Sequence, residues 1–245
     1  MTLPFMIVIN VLIVAVLGLL AKYVKVGAAE TTAGGFNFNY TTSDLIILAV
    51  IGAIAGVVNT GMGIVWNAAN AAGGPLAGAA LQGAFMWAYL LAFFLVRKPG
   101  SMLIIGIIES TIEALLGNPS GISTIGWGVT QGLGAEAVMA FVVYGNFGWW
   151  AFALAGAAAS QFGTVWTAWL FGWDSTPEIV SAYWTAILIN LISGFVFSGL
   201  LGWWLGKTIE KTGLLVQLVK NNPHRFNPIN GVEANTSTPL VHPSS

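Results

Sequence analysis

Apolar runs at residues 5–21, 45–66, 76–96, 149–171 and 179–205 constrain this chain more than any motif it carries. Each is long enough, or nearly so, to cross a hydrocarbon core about 30 Å thick as a helix. Inside that core every backbone N–H and C=O must find a partner within the protein, which leaves helices or closed barrels. A barrel needs alternating segments of about ten residues, and no such alternation is present. The fold class is therefore all-α integral membrane protein. Composition agrees: 56% of the residues are hydrophobic and 7% charged, against roughly 25% charged in a soluble domain.

All eight basic residues fall into four clusters, Lys22/Lys25, Arg97/Lys98, Lys207/Lys211 and Lys220/Arg225. Shorter segments at 101–116 and 122–144 complete the threading. The positive-inside bias then puts every basic cluster on one side and the connections 67–75, 117–121 and 172–177 on the other. The result is a multi-pass protein of the cell membrane with seven spans, an outer N-terminus and a cytoplasmic C-terminus. Without the first run, six spans remain and both ends lie inside. That first run reads as a retained helix or a signal-like anchor, and the missing charged n-region favours the helix. Three regions follow: 1–43, an extra hydrophobic helix and polar linker; 44–215, the transmembrane domain; and 216–245, a polar cytoplasmic tail expected to be disordered. Asp44, after Ser43, suits a helix N-terminus.

The chemistry concentrates in residues 97–136, where Glu109, Glu113 and Glu136 interrupt apolar sequence together with Gln131. A carboxylate at membrane depth is costly and marks a functional site by default. Glu109 and Glu113, at i and i+4, share one helix face. Gln131 and Glu136 are about 140° apart on a regular helix and converge only if Gly132 and Gly134 distort it. On this threading Glu113 sits near the outer end of its helix, Glu109 a turn deeper and Glu136 near mid-depth, all facing an outward-opening site. Ala49, Gly52, Ala53 and Gly56 form a small-residue stripe that serves either internal packing or the docking of a partner membrane protein.

Other chemistries are excluded. With no cysteines, disulfides and thiolate catalysis are ruled out, and both histidines lie in the tail. The segment GWWLGKT at 202–208 lacks the first glycine of a phosphate-binding loop. A net charge of −1 points to no nucleic-acid partner. Neither enzymatic activity nor a cofactor is expected. Trp66, Trp127 and Trp184 lie near outer span ends, where interface anchoring and ligand stacking explain them equally well.

VRKPG, then EALLGNPSG, then TQGLGAEAV, and finally ISGFVFSGLLGWWLGKTIEKTGLL resemble the YkoE-type substrate-binding (S) components of energy-coupling factor (ECF) vitamin transporters. The likeness covers about residues 44–215. It implies a six-helix S-component bundle, here with an additional N-terminal transmembrane helix, that binds thiamine or its hydroxymethylpyrimidine precursor at the outer face for ATP-driven uptake. It also implies partnership, in the lipid bilayer, with a membrane coupling (T) protein and cytoplasmic ABC-type ATPases. Glu113, Asn118, Gln131 and Glu136 fall on the family motif as ligand-site or site-shaping residues. Glu109, Trp66, Trp127, Tyr183 and Trp184 join them on topology alone. A stand-alone proton-coupled secondary transporter of a small cationic solute is the competing reading, for which inverted repeats would speak; none is found.

Overall fold

The computed structural model describes residues 2–24, 26, 35–173 and 177–213, and the expected tail lies outside them. Its helices are α1 (Leu3–Tyr23), α2 (Thr42–Gln82), α3 (Trp87–Val96), α4 (Ser101–Leu115), α5 (Thr124–Phe141), α6 (Trp149–Leu170), α7 (Pro177–Ser193) and α8 (Leu201–Lys211). A π-helical stretch, Gly194–Leu200, joins α7 to α8. No strand occurs among the described residues. Leu3–Tyr23, Thr42–Val96 and Ala182–Lys211 are long and apolar enough to cross a membrane. Their exposed faces carry residues such as Val8, Leu12, Ile46, Val50, Ile54, Val57, Leu188 and Ile192. In water such a surface would be a liability; in lipid it is the solvent-exposed side.

The acidic start of α2 is a capping box. Asp44 N donates to Thr41 Oγ1 at 3.3 Å while Thr41 N donates to Asp44 Oδ2 at 2.9 Å. Lys98 closes the same corner with a 2.8 Å ion pair to Asp44.

The expected loop 67–75 is shorter than the sequence suggested. Helical structure continues until Gly74, whose φ of 69° and ψ of −167° turn the chain. A left-handed φ there favours glycine, and Pro75 starts the returning arm with its φ already set. The two arms of α2 face each other, since Trp66 Nε1 donates to Gly78 O at 3.1 Å.

The run 76–96 is likewise not one helix. It breaks at the 3-10 turn Gly83–Phe85, next to the π-helical stretch. A side chain at Gly83 would collide with the Ser193 carbonyl, 2.1 Å from where its Cβ would lie. Polar groups released by the break are met by side chains. Gly83 N donates to Ser193 Oγ (2.9 Å), Phe85 O accepts from Asn59 Nδ2 (2.8 Å) and Met86 O from Ser198 Oγ (3.1 Å). Irregular backbone at membrane depth is tolerated when it is satisfied in this way and lines a cavity.

Helices α4 and α5 run antiparallel in register around Gly106 and Gly128, each of which leaves room for the other's carbonyl at 2.3–2.4 Å from a would-be Cβ. Most of the core is aromatic and alanine-rich: Tyr89, Phe93, Phe94, Phe147, Phe152 and the alanines of α6 are buried.

The small-residue stripe on α2 divides between two surroundings. Gly52 and Gly56 are buried against α4, where a Cβ would meet Ile108 at 2.6 Å and Ile112 at 2.7 Å. These two glycines serve packing within the chain. Ala49 and Ala53 remain exposed beside them.

The additional N-terminal helix belongs to the bundle. α1 packs on α5 and α6, and Asn10 anchors it in the core. Its amide donates to Met6 O (2.8 Å) and to Tyr183 OH (2.6 Å), and its carbonyl accepts from Gln161 Nε2 (2.7 Å). Polar side chains bonded across helices hold membrane bundles together where hydrophobicity cannot.

Candidate ligand-binding site

Between α2, α4 and α5 lies a cavity with about 460 Å³ of empty space, open solvent at its mouth included. Its wall brings together six of the nine expected residues: Glu109, Glu113, Asn118, Gln131, Trp66 and Trp127.

The two carboxylates are held by neutral donors. Glu109 Oε1 accepts from Tyr89 OH at 2.7 Å and Oε2 from Asn59 Nδ2 at 3.1 Å. Glu113 Oε2 accepts from Asn118 Nδ2 at 2.7 Å. Asn118 also shapes the turn, its Oδ1 accepting from Ser120 N at 2.9 Å and its own N–H reaching Glu113 O at 3.0 Å. It thus serves both the turn and the carboxylate. Among the described residues neither Glu109 nor Glu113 pairs with a Lys or Arg. Ion pairs among the described residues include Arg97–Glu210, Lys98–Asp44 and Lys207–Glu210, all at the other end. Two buried carboxylates with only neutral partners form a site whose natural complement is a cation or a group with several N–H donors.

An aromatic wall faces them across the cavity. Trp66 and Trp127 pack edge to face with ring centroids 6.2 Å apart, and Phe171 lies 6.4 Å from each. Both indole N–H groups are engaged, by Gly78 O and by Thr167 Oγ1. That fixes the rings, which line the cavity with aromatic surface of the kind that takes a flat or cationic ligand. Gln131 stands between the two walls, its Oε1 3.3 Å from the Tyr89 hydroxyl. That hydroxyl has one proton, and the shorter contact gives it to Glu109.

The other three expected residues lie elsewhere. Glu136 does not line the cavity. Its Oε1 accepts from Met102 N at 2.8 Å at the start of α4, about 16 Å along that helix from Glu113 at 1.5 Å per residue. The reason is register: α5 descends antiparallel to α4, so a residue late in α5 meets the start of α4. There it caps the helix. The first amides of a helix have no intrahelical acceptor, α4 has no side-chain cap of its own, and the carboxylate also favours the positive end of the helix dipole. Tyr144 and Tyr40 surround this corner, and Tyr40 OH donates to Pro99 O at 2.7 Å. Burial, with the charges of Glu136 and Asp44 adding to it, raises the Tyr40 pKa and keeps the phenol a donor.

Tyr183 is buried against Met6, Ala168 and Ile187, and its hydroxyl is taken up by Asn10. Trp184 is 53% exposed on the outer surface of α7. Asn59, Gln82, Phe85, Tyr89 and Phe171, which border the cavity or hold its residues, were not among the expected site residues. A polar residue recurring in each apolar run was the available signal.

A broken helix beside an internal cavity, two buried carboxylates with no basic partner among the described residues and an apolar outer belt describe a multi-pass membrane protein. Residues 43–162 match the family described as ABC-type cobalt transport system, permease component. The chain is 30% identical over 178 residues to the putative HMP/thiamine permease protein YkoE of Bacillus subtilis (strain 168), covering 72% of this chain and 88% of that protein. A crystal structure of an S-component of an ECF transporter superposes with a TM-score of 0.68 at 29% identity, covering 76% of this chain and 96% of that one. The fold and the matches together define an S component, the substrate-binding membrane subunit of an ECF transporter. Within that class, the chain belongs to the YkoE family.

Proposed function

We propose that this S component captures thiamine or hydroxymethylpyrimidine at the extracellular face and hands it to a membrane coupling protein driven by cytoplasmic ABC-type ATPases. The observation that carries this reading is the pairing of Glu109 and Glu113, without basic partners, with the Trp66–Trp127 wall in one cavity. Thiamine joins a cationic thiazolium to an aminopyrimidine, and both features match. The carboxylates take positive charge and N–H donors, Gln131 takes a heterocycle edge, and the indoles take a flat ring. The name of the Bacillus relative, an HMP/thiamine permease, supports the same substrate class. Orientation rests on charge: the cavity opens near the 117–121 turn, away from Arg97, Lys98, Lys207 and Lys211, and basic residues favour the cytoplasmic side.

Native mass spectrometry of the protein, purified in detergent and mixed with equimolar B vitamins and hydroxymethylpyrimidine, tests the assignment. The expected spectrum shows a one-to-one adduct with thiamine or hydroxymethylpyrimidine that outcompetes the rest. A dominant adduct with an anionic vitamin would refute it.

A further inference from the structure

We infer that Gln82 and Asn190 form a hydroxyl-recognition subsite beside the main cavity, and that the ligand presents to it an unphosphorylated hydroxyl arm. A second, narrower chamber is lined by Trp66, Asn70, Pro75, Ala79, Gln82, Thr164, Thr167, Trp173 and Asn190. It shares Trp66 and Gln82 with the main cavity, so these two residues form the common wall. The chamber has room for about one water-sized group, which fits a hydroxyl and not a ring.

Its polar groups are arranged for such a guest. Asn190 is 2% exposed, and its Nδ2 donates to Thr164 Oγ1 at 2.9 Å, while its Oδ1 is buried with no hydrogen-bond partner. A buried carbonyl left without a donor is uncommon and calls for an explanation. Gln82 is 7% exposed. Among the described residues its amide makes no hydrogen bond, although it borders both spaces. An acceptor at Asn190 and an acceptor-donor pair at Gln82 satisfy a hydroxyl as donor and acceptor together. The bond to Thr164 leaves Asn190 Oδ1 unused, and Gln82 ends the returning arm of α2 before the helix break, where the backbone is served by Ser193 and Asn59.

Charge sets the second half of the inference. Among the described residues no Lys or Arg lines either chamber, and Glu109 and Glu113 stand in the main one. A phosphate ester on the same arm would bring a dianion into a desolvated space with two carboxylates and no cation, so the phosphorylated form of the ligand is rejected.

This inference rests on the aminopyrimidine reading above, and the experiment separates the two. Full-length protein is titrated calorimetrically with hydroxymethylpyrimidine, with the analogue carrying methyl in place of hydroxymethyl, and with the phosphate ester. The hydroxyl compound should bind about tenfold or more tightly than the methyl analogue, the equivalent of one buried hydrogen bond. The phosphate should bind more weakly still. Asn190→Leu should weaken the hydroxyl compound and leave the methyl analogue within about twofold, closing the gap; Gln82→Met should act in the same direction if the first variant does not fold. Equal affinities of hydroxyl and methyl compounds for the wild type would overturn the subsite while the substrate class stands. Tight binding of the phosphate would overturn the charge argument. Failure of all three to bind would overturn the substrate class and the subsite with it.

Discussion

Glu109 on α4 and Tyr89 on α3 are joined by a 2.7 Å hydrogen bond that ties the carboxylate to the helix beginning just after the break at Gly83–Phe85. Asn59 strengthens the connection by bonding both Glu109 Oε2 and the freed Phe85 carbonyl. The broken helix and the site charge therefore share one polar network. Removing the phenol by Tyr89→Phe should cost about 1–3 kcal/mol of stability, the penalty for a buried oxygen stripped of its donor, and should weaken ligand binding. Thermal unfolding in detergent, with and without ligand, checks this. An unchanged midpoint in both conditions would contradict the network.

Glu136 separates structure from binding. Because it caps α4 far from the cavity, Glu136→Gln should lower the unfolding midpoint and leave ligand affinity within about twofold. The loss should be on the order of 1 kcal/mol, in the range of an N-terminal cap. A large drop in affinity with unchanged stability would return Glu136 to the ligand.

Gly56 offers a similar contrast. A Cβ there would sit 2.9 Å from Glu109 O and 2.7 Å from Ile112, so Gly56→Ala should push α4 outward. We expect a cost of about 1–3 kcal/mol from overpacking and weaker binding by the isolated subunit, since Glu109 moves with its backbone. Normal stability and binding, with only complex assembly lost, would show that the α2 stripe meets a partner after all.

Orientation can be read by labelling, since the chain has no cysteines. In intact cells an impermeant thiol reagent should modify Ser120→Cys, at the cavity mouth, and should not modify Lys211→Cys. Added ligand should slow the first reaction. The reverse pattern would invert the topology.

The carboxylate pair was readable in the sequence because i, i+4 spacing on one helix needs no knowledge of other helices. Asn118 was reached through the family motif, and Trp66 and Trp127 through their places near the outer span ends. Residues brought in from a neighbouring helix were not. Asn59, Tyr89 and Phe171 reach the site through interhelical register, which is set by contacts such as Gly106 on Gly128. Misjudged register also explains Glu136, whose depth depends on where α5 begins and how closely it approaches α4. The stripe on α2 was ambiguous for a related reason: small residues allow close approach without saying whose helix approaches, and at Gly52 and Gly56 it is α4. The break at Gly83 was hidden because Gln82 is an isolated polar residue in the apolar run 76–96, and the polar partners of the break lie on α2 and in the stretch from α7 to α8.

Most directly at stake is the idea that Glu113, with one oxygen held by Asn118 and no basic partner among the described residues, supplies charge or hydrogen bonding to a thiamine-type ligand. Calorimetric titration of thiamine and hydroxymethylpyrimidine against wild type and Glu113→Gln measures it. The account predicts that the substitution weakens thiamine binding by about 1–3 kcal/mol, roughly five- to 150-fold, as for a charge-assisted hydrogen bond. Hydroxymethylpyrimidine should lose less if the contact is to the thiazolium, and as much if it is to the aminopyrimidine. Unchanged affinity for both ligands would contradict the site.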